Sequence, residues 1–421
     1  MADILFPLAL CYTAFIFYAQ KRYLFKYSLI LQFILGWTIL ELAWLHGIIS
    51  VTSLIMAIGD LDDWSFSTLI GFPLTAYNAF LLWEIHHESN ASEDDVKLAL
   101  DNGLGENYQA DILDERKKQL EAHPHKHAWL KPFSFKTDHM KADENIIYGP
   151  NDRNTLSVFC DKRSSKTLRP VMLQIHGGGW TLGHSEYQGL PLRNKLVEAG
   201  WVFVSINYRL SPKHKFPDHI IDCKKALTWI KENIEEYGGD PKFIMATGGS
   251  AGGHLCSLLA LTENKFQDQL QPGFEDQDTS IQGAIPMYGV YDFADRNDLR
   301  FGMPLTGFLE DYVMPHKFTL GDELWEIASP IAQVHSDRPP FMVMHGELDT
   351  LAFVEDARAF VAALKESSDK TCIYAELPNT QHAFDIFHSP RCDHSIQAMH
   401  TFAEYTYSQY LQGDYISAAD K

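Results

Sequence analysis

Phe243-Ile244-Met245-Ala246-Thr247-Gly248-Gly249-Ser250-Ala251-Gly252-Gly253-His254-Leu255 joins a short β-rich run to an apolar helical pattern through a turn with glycines on both sides of a serine. The glycines let the backbone reverse sharply, and G-x-S-x-G between a strand and a helix holds the Ser250 hydroxyl up as a nucleophile. The same turn aims the Ala251 N–H, at a helix amino end, toward a developing oxyanion.

Working outward, 171–175, 201–207, 282–287, 341–345 and 372–377 are also short β-rich runs, and helical patterns occupy 217–237, 252–261, 354–365 and 394–411. Strands alternating with helices at this spacing predict an α/β class, a doubly wound and mostly parallel sheet. Chemistry in such a sheet sits at the carboxyl ends of its strands.

Residues with the right chemistry stand at those ends. His176-Gly177-Gly178-Gly179-Trp180 closes the 171–175 run, and three successive glycines permit close approach of backbone N–H groups to a substrate carbonyl. Gly178 and Gly179 are the candidate oxyanion donors beside Ala251, His176 braces the loop, and Trp180 is placed in the substrate pocket. A phosphate loop would need a following Lys and Ser/Thr, which this sequence lacks.

Serine at its free pKa is a poor nucleophile, so a base and an orienting acid should follow. Asp349, just past the 341–345 run, and His382, after the 372–377 run, fit the chain order Ser, Asp, His. Glu347, Asp356 and Asp292 are rival acids, and His388 and His394 rival bases; structural roles are expected for all five.

Together with Asn207-Tyr208-Arg209-Leu210-Ser211-Pro212, Asp349-Thr350-Leu351 and Gln381-His382-Ala383-Phe384-Asp385, these motifs resemble, in order and spacing, the hormone-sensitive-lipase family of α/β-hydrolases. The similarity covers roughly 169–409 and is greatest to the bacterial carboxylesterase branch, including members with an apolar amino-terminal segment. It implies an α/β-hydrolase fold and carboxylic-ester hydrolysis, with Ser250, Asp349 and His382 as triad, Gly178, Gly179 and Ala251 as oxyanion hole, and no metal or organic cofactor. One departure is visible: many members carry Asp before the nucleophile, where this chain has Gly249.

The chain has 421 residues, 46% hydrophobic and 21% charged, with Lys+Arg 35 against Asp+Glu 55 and a net charge of -20. That balance gives a solvated, self-repelling surface and argues against nucleic acid, which needs clustered cations to displace counterions. Six cysteines without CxxC or metal-ligand spacing point to neither a disulfide framework nor a zinc site. Residues 88–168 are polar, with helical patterns at 93–100 and 110–121, and read as linker and cap. Within them His123, His125 and His127 read as a solvated loop, since no carboxylate or cysteine sits at ligand spacing.

Residues 1–87 differ sharply in composition. Apolar runs at 4–19, 28–59 and 66–85 are separated by Lys21, Arg22 and Lys26 and by Asp60, Asp62 and Asp63. They predict a multi-pass transmembrane helical segment of about three spans. The middle run would be about 48 Å long as one helix, too long for a hydrocarbon core of about 30 Å, and Gly47 is its expected break. Glu41 and His46 are expected against a neighbouring helix or the interface. The positive-inside rule places the 21–26 loop, and with three spans the 169–421 catalytic domain, in the cytoplasm. No signal peptide is expected, because a basic region is missing from the amino end.

These readings combine into a membrane-attached serine carboxylesterase or lipase acting on a small-molecule or lipid ester. A C–N hydrolase, such as a formamidase or amidase, is the alternative on the same fold, and a non-catalytic membrane-anchored binding protein is the reading from another class. The insertion at 300–325, with Phe301, Met303, Leu305, Phe308, Leu309 and Tyr312, reads equally as lid or as packing. No sequence signal bears on oligomeric state.

Overall fold

The computed structural model describes residues 5–22, 28–59, 65–122, 128–135, 139–163, 167–300 and 305–413. Apolar helices come first: α1 (Leu5–Ala19), α2 (Leu29–Glu41), α3 (Ala43–Gly59) and α4 (Phe66–Leu104). The short α5 (Asp114–Ala122) leads to β1 (Met140–Ile147), β2 (Thr155–Asp161) and β3 (Arg169–Ile175). Helices and strands then alternate through α6 (Leu190–Glu198), β4 (Val202–Ile206), α7 (Asp218–Asn233), β5 (Gly239–Gly249) and α8 (Ala251–Leu261). After the turn α9 (Gln267–Leu270) come β6 (Gly283–Met287), α10 (Leu305–Phe308), α11 (Glu323–Ile327), β7 (Phe341–Gly346), α12 (Val354–Ser367), β8 (Cys372–Leu377) and α13 (Pro390–Leu411).

The strands form one eight-stranded sheet in the order β1-β2-β4-β3-β5-β6-β7-β8. β1 and β2 are antiparallel to their neighbours, while β3 through β8 run parallel. The central strands are buried on both faces because their residues alternate between two cores. Ile244 and Ala246 of β5 enter one core with α7 and α8, and Phe243 and Met245 enter the other with α6 and α13. All of α8 is buried, so the helix after Ser250 is packed in place on every side. This is the α/β-hydrolase fold.

The six expected strands are β3 to β8. β1 and β2 were not anticipated and arise from the stretch read as linker and cap. β1 runs Met-Lys-Ala-Asp-Glu-Asn-Ile-Ile with mostly exposed side chains, so it carries no apolar alternation to detect. The expected boundary at 87/88 falls inside α4, which passes from apolar to acidic sequence without a breaker and ends where Gly103 closes on Ile373 of β8.

The amino-terminal segment differs most from expectation. One helix, Phe66–Leu104, is long and apolar enough to cross a membrane, and a second span exists only if α2 and α3, bent by 78°, are taken as one. About three spans and multi-pass topology therefore lack support among the described helices; α1 has only 15 residues. The middle run breaks at Leu42, between α2 and α3, and Gly47 lies inside α3. The cause is next to the bend: the Glu41 carboxylate accepts from Arg391 Nη1 at 2.7 Å and Ser389 Oγ at 2.6 Å, turning α2 onto the hydrolase unit. His46 bonds Tyr12, across a helix pair as expected. Aliphatic and aromatic side chains remain exposed outward, among them Ile48 and Ile55 on α3 and Leu69, Phe80 and Trp83 on α4. The Asp60 to Asp63 turn, Lys26, His123, His125, His127, Phe301 and Met303 lie outside the described residues.

Candidate active site

The turn from β5 to α8 puts Ser250 at φ 59° and ψ -123°, a conformation that an L residue adopts only under constraint. Its N–H donates to the Met287 carbonyl at 3.0 Å, and its carbonyl accepts the His254 N–H at 3.0 Å. Gly252 is required by close approach: a Cβ there would stand 2.1 Å from the Ile175 carbonyl oxygen. Ala251 opens α8, so its N–H has no partner within the helix.

The glycine loop after β3 lies directly against this elbow. A Cβ at Gly177 would come within 2.6 Å of the Gly249 carbonyl and 3.1 Å of Ser250 Cβ. Gly178 and Gly179 adopt φ 119° and 57°, turning their peptides in a way closed to most side chains. His176 braces the loop as expected: it is fully buried, stacks on Tyr208 with centroids 4.3 Å apart and lies 3.2 Å from Arg153 Nη2. Burial pushes its pKa down to about 3, which keeps it neutral. Trp180 is packed inward. It is 2% exposed, donates to His254 Nδ1 at 3.2 Å and sits edge-on to Phe293.

Asp349 and His382 come together from the loops after β7 and β8, with His382 Nδ1 and Asp349 Oδ2 2.6 Å apart. The other carboxylate oxygen accepts from the Leu351 and Ala352 N–H groups, both at 2.8 Å. Burial alone would raise the Asp349 carboxyl, but His382, with His345 3.2 Å away, holds it well below the usual carboxylate range. Gln381 ties the two loops together, its Oε1 accepting from Thr350 N at 2.9 Å and His382 N at 3.0 Å.

The rivals are engaged elsewhere. Asp356 faces Arg300, Asp292 accepts from Arg296, His388 pairs with Asp393 and His394 meets Ser92. Glu347 accepts the Asn379 N–H at 3.2 Å. From the insertion, Phe308 packs over Gly179, Leu309 is buried and Tyr312 is exposed, so it divides between packing and surface.

One residue escaped the sequence reading. Tyr288, at the carboxyl end of β6 with φ 36°, places its ring 4.6 Å from that of His382 and donates its hydroxyl to Asp385. Burial raises the Asp385 carboxyl, opposed by that bond. Tyr288 also explains Gly249: a Cβ there would be 2.3 Å from the tyrosine hydroxyl, so the phenol fills the space of a side chain before Ser250. A polar residue immediately after a strand end was the available signal, but an isolated Met-Tyr-Gly has no motif.

The family model BD-FAE matches residues 156–364. The chain is 47% identical over 270 residues to a probable carboxylic ester hydrolase, LipM, of Mycobacterium tuberculosis, covering 63% of this chain and 62% of LipM. It is 44% identical over 268 residues to the esterase LipQ of the same organism, covering 63% and 62%. The matched part thus spans a little over three fifths of these relatives. Esterase B of Lactobacillus rhamnosis, solved with a tributyrin phosphonate inhibitor, is similar in fold, with a TM-score of 0.56 at 22% identity over 73% of this chain and 94% of the esterase.

Proposed function

Because the chain belongs to the hormone-sensitive-lipase family of α/β-hydrolases, we propose that it is a serine carboxylesterase working through an acyl-enzyme. The observation that carries the proposal is the 2.6 Å contact of His382 with a buried, ionised Asp349, on loops at the same sheet edge as the Ser250 elbow.

In this reading His382 takes the Ser250 proton through Nε2 as Oγ attacks the ester carbonyl. Asp349 fixes the tautomer by accepting from Nδ1 and stabilises the imidazolium. The oxyanion is received by the N–H groups of Gly178, Gly179 and Ala251. The alcohol leaves with the proton from His382 as the C–O bond breaks, and water then repeats the sequence to release the acid. The roles are filled by side chains and peptide groups of this chain alone.

Membrane attachment through the apolar helices is part of the proposal, with an ester drawn from short- to medium-chain or membrane-derived pools. The length and apolarity of α4 and the outward aliphatic faces of α1 and α3 support it. Arg22, three residues past α1, donates to both Glu355 oxygens at 2.6 Å, so the hydrolase is proposed to lie on the same side of the membrane as the basic loop, the cytoplasmic side by the positive-inside rule.

The test is hydrolysis of p-nitrophenyl esters from acetate to palmitate by detergent-solubilised protein beside Ser250→Ala, with an N-formyl amide as counter-substrate. Ester turnover abolished by the substitution is expected. Turnover of the amide alone would move the assignment to C–N hydrolysis, and equal rates for the two proteins would remove Ser250 from the mechanism.

A further inference from the structure

α2 comes from sequence expected in lipid, yet it lies across the loop that carries His382. Phe33 meets the His382 ring edge to face, with centroids 5.8 Å apart at 82°. Four residues on, one turn along the same helix face, Trp37 donates its indole N–H to the Ala383 carbonyl at 2.9 Å and packs on Phe387. Between them, Gly36 leaves room for Gln381, whose Nε2 would be only 3.2 Å from a Cβ there. The Leu29 carbonyl accepts from Thr350, next to the acid. Leu348, on the other side of Asp349, is buried in the same apolar cluster as Ile39 and Leu40. Glu41 closes the far end of the helix on Arg391 and Ser389.

Ala383 is the informative neighbour. Its φ of 61° is left-handed, a conformation that alanine resists and that needs an external hold. The Ala383 carbonyl is the group that Trp37 binds. Release of that carbonyl would let the peptide after His382 relax and swing the imidazole, which Tyr288 supports from the hydrolase side.

We propose that α2 is a positioning element for the catalytic base, with Trp37 holding the left-handed Ala383 peptide and Phe33 bracing the His382 ring, so that the apolar amino-terminal segment completes the active site. The inference rests on the reading of His382 as the base. It makes the hydrolase unit dependent on the helix for turnover as well as for location. Displacement of a catalytic group by about 1 Å can cost two orders of magnitude in rate, so loss of one such hold should be measurable.

The experiment uses the full chain in detergent, comparing Trp37→Phe, Phe33→Leu, Trp37→Phe with Ala383→Gly, Ser250→Ala and His382→Ala on the p-nitrophenyl series. Trp37→Phe keeps the ring and deletes the donor; it should lower kcat about 10- to 100-fold at every acyl length with KM within about twofold. Glycine at 383 adopts positive φ without strain and should recover most of that loss, which a merely structural defect would not do. An unchanged kcat, a loss carried by KM and growing with acyl length, or no recovery with glycine would overturn the inference. If Trp37→Phe does not fold, Phe33→Leu is held to the same kcat-against-KM criterion. Full activity in Ser250→Ala or His382→Ala would instead overturn the underlying triad; loss in both beside a normal Trp37→Phe would overturn the positioning role alone.

Discussion

Replacement of Glu41 by leucine should destabilise the whole chain, although it makes an apolar helix more apolar. Glu41 is 1% exposed and its two oxygens are taken by Arg391, also 1% exposed, and by Ser389. The substitution leaves a guanidinium buried without its carboxylate. Removing one partner of a buried ion pair costs about 3–5 kcal/mol, because the surviving charge remains desolvated. At about 2 °C per kcal/mol for a large chain, the thermal midpoint should fall by about 6–10 °C. The assay is a thermal scan at fixed rate in one detergent, with Arg391→Met alone and in combination. Glu41→Leu with Arg391→Met removes both charges and should regain most of the loss, since apolar side chains of similar volume can replace a buried pair at little cost. A fall of less than about 2 °C in Glu41→Leu, or no recovery in the double variant, would refute the reasoning and return Glu41 to an interfacial role.

Three further predictions concern the hydrolase unit. His176, His219 and His254 are fully buried, with pKa values pushed down to about 3 by burial. At these three sites the unfolded chain binds protons between about pH 6.5 and 3 that the folded one does not, so they lower stability as pH falls, opposed by Asp356, whose carboxyl burial pushes up to about 7. Unfolding midpoints should fall from pH 7 to 4.5, and less steeply in His219→Asn; identical profiles for the two proteins would contradict it. Gly178→Ala, whose Cβ would lie 2.1 Å from the Leu182 carbonyl, should cost about 10²- to 10³-fold in kcat by displacing the proposed oxyanion donor, measured on p-nitrophenyl acetate. Gly249→Asp should be poorly folded on its own and tolerated when Tyr288→Ala vacates the space, as read by thermal midpoints of the single and double variants.

The parts of the fold that could be read in advance were those whose physics is local. β3 to β8 announce themselves as short buried runs, and the Ser250 elbow by glycines that steric approach demands. Asp349 and His382 followed because strand ends share an edge in a parallel sheet. Long-range pairing was harder to see. β1 has an exposed polar face and owes its existence to β2, Tyr288 is defined by what it touches, and Trp180 turned inward because His254 and Phe293 receive it. The apolar composition of residues 29–41 was read correctly as hydrophobic, but composition cannot distinguish lipid from the flank of an enzyme. The ion pair that decides the matter joins residues 350 positions apart.

α4 has a consequence of its own. Its 39 residues form one rod of about 58 Å, rooted among the apolar helices at one end and locked against β8 at the other. With the Phe66 end in a bilayer, such a strut would set both the height and the tilt of the Ser250 elbow above the surface, leaving the protein to diffuse laterally as a fixed turret. Encounters would then be governed by how many ester molecules occupy each unit of membrane area beneath it, so diluting the substrate with inert lipid at constant total concentration would slow turnover, and diluting the whole suspension with buffer would not.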